Sequence, residues 1–293
     1  MSKLRRIAVI ASAVALVLTG CSSDPETSTA PAPEQAYPNW PAALDDFRFR
    51  WSAEPGIDLL TGPAVPIRAY LEGRRVAEFT AGTDSHLPTE YESYPGFRNA
   101  VTQPSGTPFD GPYPVEVWDA HPELTMAVGE QIHGSEYFHL LQLEPIDGGH
   151  RAYVCDGRYN IFYRRGEEKT YQTVDGAASG KYDYVNIWRV EVHSEKALPN
   201  RPPQRGPNPA PVDDVFGAVK ILASNKARWG GLEGQPAVDA RSRDEDRISE
   251  ENHRRCLDRM PDSLRDMGIL AASRPAEPPA LEPAVPGWPA RAS

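Results

Sequence analysis

Glu136-Tyr137-Phe138-His139-Leu140-Leu141-Gln142-Leu143-Glu144, the turn Asp147-Gly148-Gly149 and the run from His150 to Tyr163 set the architecture of this chain. Both runs mix aromatic with aliphatic residues, and a glycine pair separates them, which reads as two strands joined by a tight turn. Gly157 marks a bulge within the second run. Tyr184-Val185-Asn186-Ile187-Trp188-Arg189-Val190-Glu191-Val192 is the cleanest strand of all, and Lys169 to Val174 is a shorter one. Long strands following one another with short connections predict an antiparallel meander.

Upstream of this sheet the pattern changes period. Ordered chain is expected from about Phe47-Arg48-Phe49-Arg50-Trp51. From Pro63, Ile67, Tyr70, Leu71, Val76 and Phe79 recur at roughly helical spacing, which predicts a helix over 63–80 that stops near Gly82. A short helix is expected over 94–101. Downstream, the cluster Pro199, Pro202, Pro203, Pro207, Pro209 and Pro211 ends the sheet. Asp213–Ala227 is a modest helix candidate. Arg243–Met260 is a charged helix with Ile248, Cys256, Leu257 and Met260 for its apolar face. The Pro/Ala-rich tail over 275–293 is expected to be disordered. Two short pieces echo one another, Pro38-Asn39-Trp40-Pro41-Ala42 and Pro286-Gly287-Trp288-Pro289-Ala290.

The expected fold is therefore α+β, with N-terminal helices packed on a curved antiparallel sheet over 47–193 and a C-terminal helical extension over 194–274. This element order resembles the NTF2-like (SnoaL-like) cone, in which a curved sheet wraps helices around a pocket. The resemblance rests on element order and carries no motif residue.

The N-terminus speaks about place. Lys3, Arg5 and Arg6 precede an apolar run from Ile7 to Leu18, which is too short to span a bilayer. Leu18-Thr19-Gly20-Cys21 then resembles a bacterial lipobox. An ordinary secretory signal would carry an A-x-A-like site instead. The resemblance implies a signal peptide over 1–20, a lipid on the Cys21 thiol and work at the extracytoplasmic face of the cell membrane. Residues 21–46 read as a Ser/Thr/Pro/Ala tether. By its lipobox, Ala/Pro/Arg-rich composition and acidic domain, the whole chain resembles uncharacterised actinobacterial exported lipoproteins, which implies no activity.

The formal charge of −10 becomes −13 without Lys3, Arg5 and Arg6. Such a chain repels phosphate backbones, so nucleic acid is excluded as a partner. Anionic headgroups would repel it too, so the acyl chains must be the anchor. Cys155 and Cys256 remain, and in an exported protein they read as one disulfide, with two free buried thiols as the alternative.

No catalytic motif is present: no Gly-x-Ser-x-Gly, no phosphate-cradling glycine loop and no Ser-x-x-Lys. His133, His139, His150 and His193 lack metal-ligand spacing, so no metal or other cofactor is expected. Asp119 and His121 lie in a turn before Pro122 and read as surface loop. Strand alternation suggests an aromatic face of Tyr153, Tyr159, Tyr184 and Trp188, a candidate ligand pocket whose alternative is ordinary core. The expected function is a non-catalytic envelope module that binds a lipid, a small molecule or an envelope protein. A SnoaL-like isomerase, cyclase or hydrolase is the alternative.

Overall fold

The computed structural model describes residues 37–80, 93–101, 130–174, 184–194, 198, 200–226 and 240–290. The signal peptide, Cys21 and most of the tether lie outside these residues, as do Asp119 and His121. The fold is α+β, with a curled, largely antiparallel sheet and a few helices.

The described strands are β1 (Asp46–Ala53), β2 (Ile132–Ile146), β3 (Gly149–Gly157), β4 (Ile161–Tyr163), β5 (Gln172–Thr173), β6 (Val185–His193) and β7 (Lys220–Lys226). The helices are α1 (Ala64–Thr80), α2 (Phe97–Val101), α3 (Ala240–Arg259) and α4 (Leu264–Ala272). β2 turns into β3 through Asp147-Gly148, and β3, β6 and β7 follow antiparallel. Tyr137 pairs with Gly157 and Gly134 with Ile161, so β3 and β4 run along the same edge of β2. They are one long strand interrupted at 158–160, close to the expected bulge at Gly157. The other edge of β2 takes β1, which is parallel to it. That pair departs from the expected all-antiparallel meander; α1 and α2 lie between the two strands in sequence, and a parallel pair needs such a long crossover connection.

Alternation sorts the side chains onto two faces. Ala152, Val154, Trp188, Val190 and Val192 face a large cluster with α1 and α2. Tyr153, Cys155, Val185 and Ile187 face a smaller one with Cys256, Met260 and Met267 from α3, α4 and the link between them. In α1 every residue from Ala64 to Phe79 is buried, including Arg68, Glu72, Arg74, Arg75 and Glu78. Gly73 is the place of closest approach: a Cβ there would lie 2.8 Å from the Phe97 ring of α2.

On the outer face Asn252, Cys256 and Met260 recur every fourth residue and are buried, one stripe down α3. Cys256 is joined to Cys155 of β3 across 101 residues. Closing a loop of that length contributes about 4–5 kcal/mol in the chain-entropy account. Ser263 caps α4, accepting from Asp266 N–H at 3.2 Å.

Four expectations are corrected. The tether does not extend to residue 46: Trp40 and Leu44 are buried, with Trp40 stacked on Phe47. The sheet does not end at 193, since β7 belongs to it. The helix expected over 213–227 is a turn followed by that strand; Asp214 Oδ1 accepts from Phe216 and Gly217 N–H, and pairing with β6 prevails over local helix propensity. The Pro/Ala-rich tail is a strap: Val285 bridges to Arg50 of β1, and Trp288 pairs with Asn208 and is 1 % exposed. Proline-rich chain needs no ladder of its own when its remaining amides and a large aromatic find partners elsewhere.

The two echoing pieces share one feature, a left-handed residue before a buried tryptophan. Asn39 (φ 58°) and Gly287 (φ 48°) are left-handed, and each sets a buried tryptophan. Trp40 Nε1 donates to Leu44 O at 2.8 Å and Trp288 Nε1 to Glu72 Oε2 at 2.7 Å. Glu72 also accepts from Trp51 Nε1 at 2.8 Å and Tyr94 OH at 3.2 Å. Burial pushes the Glu72 carboxyl up to about 7, against the pull of Arg68 and these three donors.

Trp288→Ala should cost about 3–5 kcal/mol, the range for a fully buried aromatic, measured by chemical denaturation. A cost below 1 kcal/mol would mean that the strap is dispensable. Glu72 generates a second expectation. Its folded value lies above the ordinary 4.5, so its contribution is complete below that pH and is lost as pH rises through about 7. Glu72→Gln should therefore gain about 3 kcal/mol relative to wild type between pH 5 and pH 8. Parallel stability curves for the two proteins would contradict this.

Candidate functional site

The four residues of the expected aromatic pocket are not brought together. Tyr153, Tyr159 and Tyr184 lie on the outer side with the disulfide, where Tyr159 stacks on Tyr137 at 5.5 Å and donates to Asp262 Oδ2 at 2.9 Å. Trp188 lies on the inner face, paired with Val154, with the Arg74 guanidinium 4.8 Å above its ring. The reason is phase. Tyr184 precedes β6, so counting alternation from it puts Trp188 on the wrong side.

The inner face is filled by an ionic cluster. Arg75 Nε donates to Glu136 at 2.9 and 3.0 Å, its Nη2 reaches Asp156 at 3.2 Å, and it pairs with Glu78. Arg74 Nε lies 2.9 Å from Glu78, and Trp188 Nε1 donates to Asp156 at 3.0 Å. Burial first, and then Asp156, push the Glu136 carboxyl well above the ordinary range. Burial works to raise Asp156 as well, but Arg75 and Arg158 outweigh it and hold that carboxyl low. The two neighbouring carboxyls are thus pushed in opposite directions. Two such carboxyls could act as acid and base, but neither is exposed at all, so the cluster is closed to substrate.

The outer face is open where α3 ends. A cleft of about 430 Å³ lies between β1, β2, the α3–α4 link and the strap. Arg50, Ser52, Tyr137, Arg259, Asp262 and Glu282 line it. A second cleft of about 520 Å³ adjoins it, sharing Met260, Pro261 and Asp262. Arg50 Nη1 donates to Pro283 O at 2.8 Å and its Nε lies 3.5 Å from Glu282. Tyr137 OH donates to Glu282 at 3.1 Å, and burial pushes this phenol up to about 12, so it remains a donor.

Three polar side chains stand in line on this face. Ser52 and His139 are register partners of the parallel pair, and Glu54 immediately follows the last residue of β1. Ser52 Oγ lies 2.8 Å from His139 Nδ1, and His139 Nε2 lies 3.8 Å from Glu54 Oε1. Glu54 accepts from Arg259 Nε of α3 at 2.7 Å. Ser52 is exposed while His139 is 5 % exposed. Desolvation lowers the His139 pKa, with Glu54 opposing. None of the three was singled out from sequence as a set. The only legible signal was Ser-x-Glu at the end of a strand, since His139 lies 87 residues away.

No family model, no curated protein and no solved structure matches this chain. Among the described residues there is no cluster of His, Cys, Asp and Glu able to hold a metal ion, and no helix long and apolar enough to cross a membrane.

Removing Arg75 tests the inner cluster as a structural element. Arg75→Met leaves buried carboxylates unpaired and should cost about 3–5 kcal/mol. Without the arginine, Asp156 joins Glu136 above its unfolded value, so the cost should be larger at pH 8 than at pH 5. Urea denaturation at the two pH values measures it; an equal cost at both would show that the carboxyls do not depend on Arg75.

Proposed function

We propose that this chain is a lipid-anchored envelope protein whose α+β domain binds a small molecule or lipid in the outer cleft. The observation that carries the reading is the cleft itself. It joins the Tyr137 ring and the Met260 side chain to cations and carboxylates, the mixture that orients a small ligand. The lipobox-like Leu18–Cys21 supports the anchor, and the Cys155–Cys256 disulfide suits an oxidising compartment. The curl of the sheet about α1 supports the NTF2-like cone as the fold. The strand that precedes α1 and pairs parallel departs from it. A SnoaL-like reaction inside the cone is not favoured, because Arg75, Glu136, Asp156 and Trp188 occupy that space.

Cys21→Ala should move the full chain from the membrane fraction to soluble or unprocessed forms. Unchanged partition and mass would overturn the anchor. Native mass spectrometry of the membrane-extracted protein should show a bound small molecule that is lost in Ser52→Trp, which fills the cleft. A ligand retained in that variant, or none in wild type, would overturn the binding reading.

A further inference from the structure

We propose that Ser52 is a nucleophile for acyl transfer from carboxylic esters, with His139 as its general base and Glu54 orienting the imidazole. This rests on the outer cleft being the ligand site, and it adds turnover to binding. The geometry has the three elements that such chemistry needs. The nucleophile is exposed at the cleft. Its hydroxyl is within hydrogen-bond reach of an imidazole nitrogen, at 2.8 Å. The far nitrogen of that ring faces a carboxylate at 3.8 Å, a separation that tightens when a ligand excludes water.

The tautomer follows from the partners. Nδ1 accepts the Ser52 hydroxyl proton, so Nε2 carries the ring hydrogen. Nε2 is buried and makes no hydrogen bond among the described residues, and a buried polar group left without one is costly. Approach of Glu54 satisfies it and stabilises the imidazolium that forms when Ser52 gives up its proton. Arg259 and Arg255 of α3 face the same carboxylate, at 2.7 and 3.9 Å, and hold it on the β1 edge. The parallel register fixes the order, because Ser52 and Glu54 bracket one imidazole only if His139 sits opposite Ser52.

In the reaction, Ser52 Oγ attacks the ester carbonyl carbon while its proton passes to His139 Nδ1. The carbon–alkoxide bond breaks, and the alkoxide leaves with that proton as alcohol. Water then attacks the acyl-serine with His139 again taking the proton, which returns to Ser52 Oγ as the carboxylic acid departs. Ester and water become acid and alcohol.

The test uses the full chain with its disulfide intact and a fluorophosphonate probe, followed by peptide mapping. An adduct should appear on Ser52 and vanish in Ser52→Ala. His139→Gln should slow labelling by about a hundredfold, the lower bound for a lost general base. If that variant does not fold, the wild-type rate between pH 5 and 8 stands in its place. It should rise with deprotonation of His139, whose neighbours are Ser52 of β1, Glu54 just after it, and Arg255 and Arg259 of α3, and level off by pH 7. No Ser52 adduct, a wild-type rate in folded His139→Gln, or a flat pH profile would overturn the proposal. If Ser52 proves inert while Ser52→Trp still removes the bound molecule, the cleft binds and only the chemistry is refuted.

Discussion

The carboxyl group of Glu72 is buried where four parts of the chain meet, and the arrangement around it constrains the rest of the molecule. It sits on α1 and takes hydrogen bonds from Trp51 of β1, Tyr94 of the segment before α2 and Trp288 of the strap. A charge taken out of water is tolerable only where donors and a counter-ion replace the lost hydration. Arg68 is that counter-ion, and its own N–H groups end on the carbonyls of Leu59, Gln204 and Gly287. The Arg68 guanidinium also lies 4.3 Å over the Trp288 ring. Apart from Arg68 and Leu59 these partners come from other parts of the chain, so the site can form only when β1, the loop over 200–208 and the strap are all in place around α1.

That constraint explains why α1 is such an unusual helix. Its mean hydropathy is low, yet all but its last residue is buried, because its polar side chains point into prepared ionic sites rather than into water. Arg68 and Glu72 serve one side, and Arg74, Arg75 and Glu78 serve the other against β2, β3 and β6. A purely apolar helix would fill the same space at lower electrostatic cost but would not dictate its rotation or depth. The buried ion pairs select one orientation, since each misplacement strands a charge. The outer face carries the disulfide and the cleft, so the ionic sites that fix the fold and the open cleft lie on separate faces.

Much of the sheet was legible because strand alternation and glycine turns are local signals; the turn at Asp147-Gly148 and the strands around 136–144 and 184–192 are instances. The 63–80 helix was legible for the same reason. What was hidden is what depends on distant pairing. Nothing near Phe47–Trp51 announces a parallel partner beginning at residue 132, and without that partner Ser52, His139 and Glu54 are three unrelated residues. Motif searches could not find them, because such motifs require the residues to be close in one stretch of chain. Trp188 was assigned to the wrong face because alternation was counted from Tyr184, one residue outside the strand. The strap was misread because composition measures what a segment can bury alone, and Trp288 buries itself in a site built by others.

The strap also determines when folding can be completed. A polypeptide is made from its N-terminus, and β1, α1 and all seven described strands precede Trp288. Until that residue has emerged, Glu72 lacks its shortest hydrogen bond and Arg68 its covering ring. The earlier segments can collapse and pair, but the centre on which they converge remains unsealed. The nascent chain is thus held short of its native state until almost all of it exists. A molecule that later loses its last few turns of strap reverts to that unsealed form and becomes a substrate for quality-control proteases.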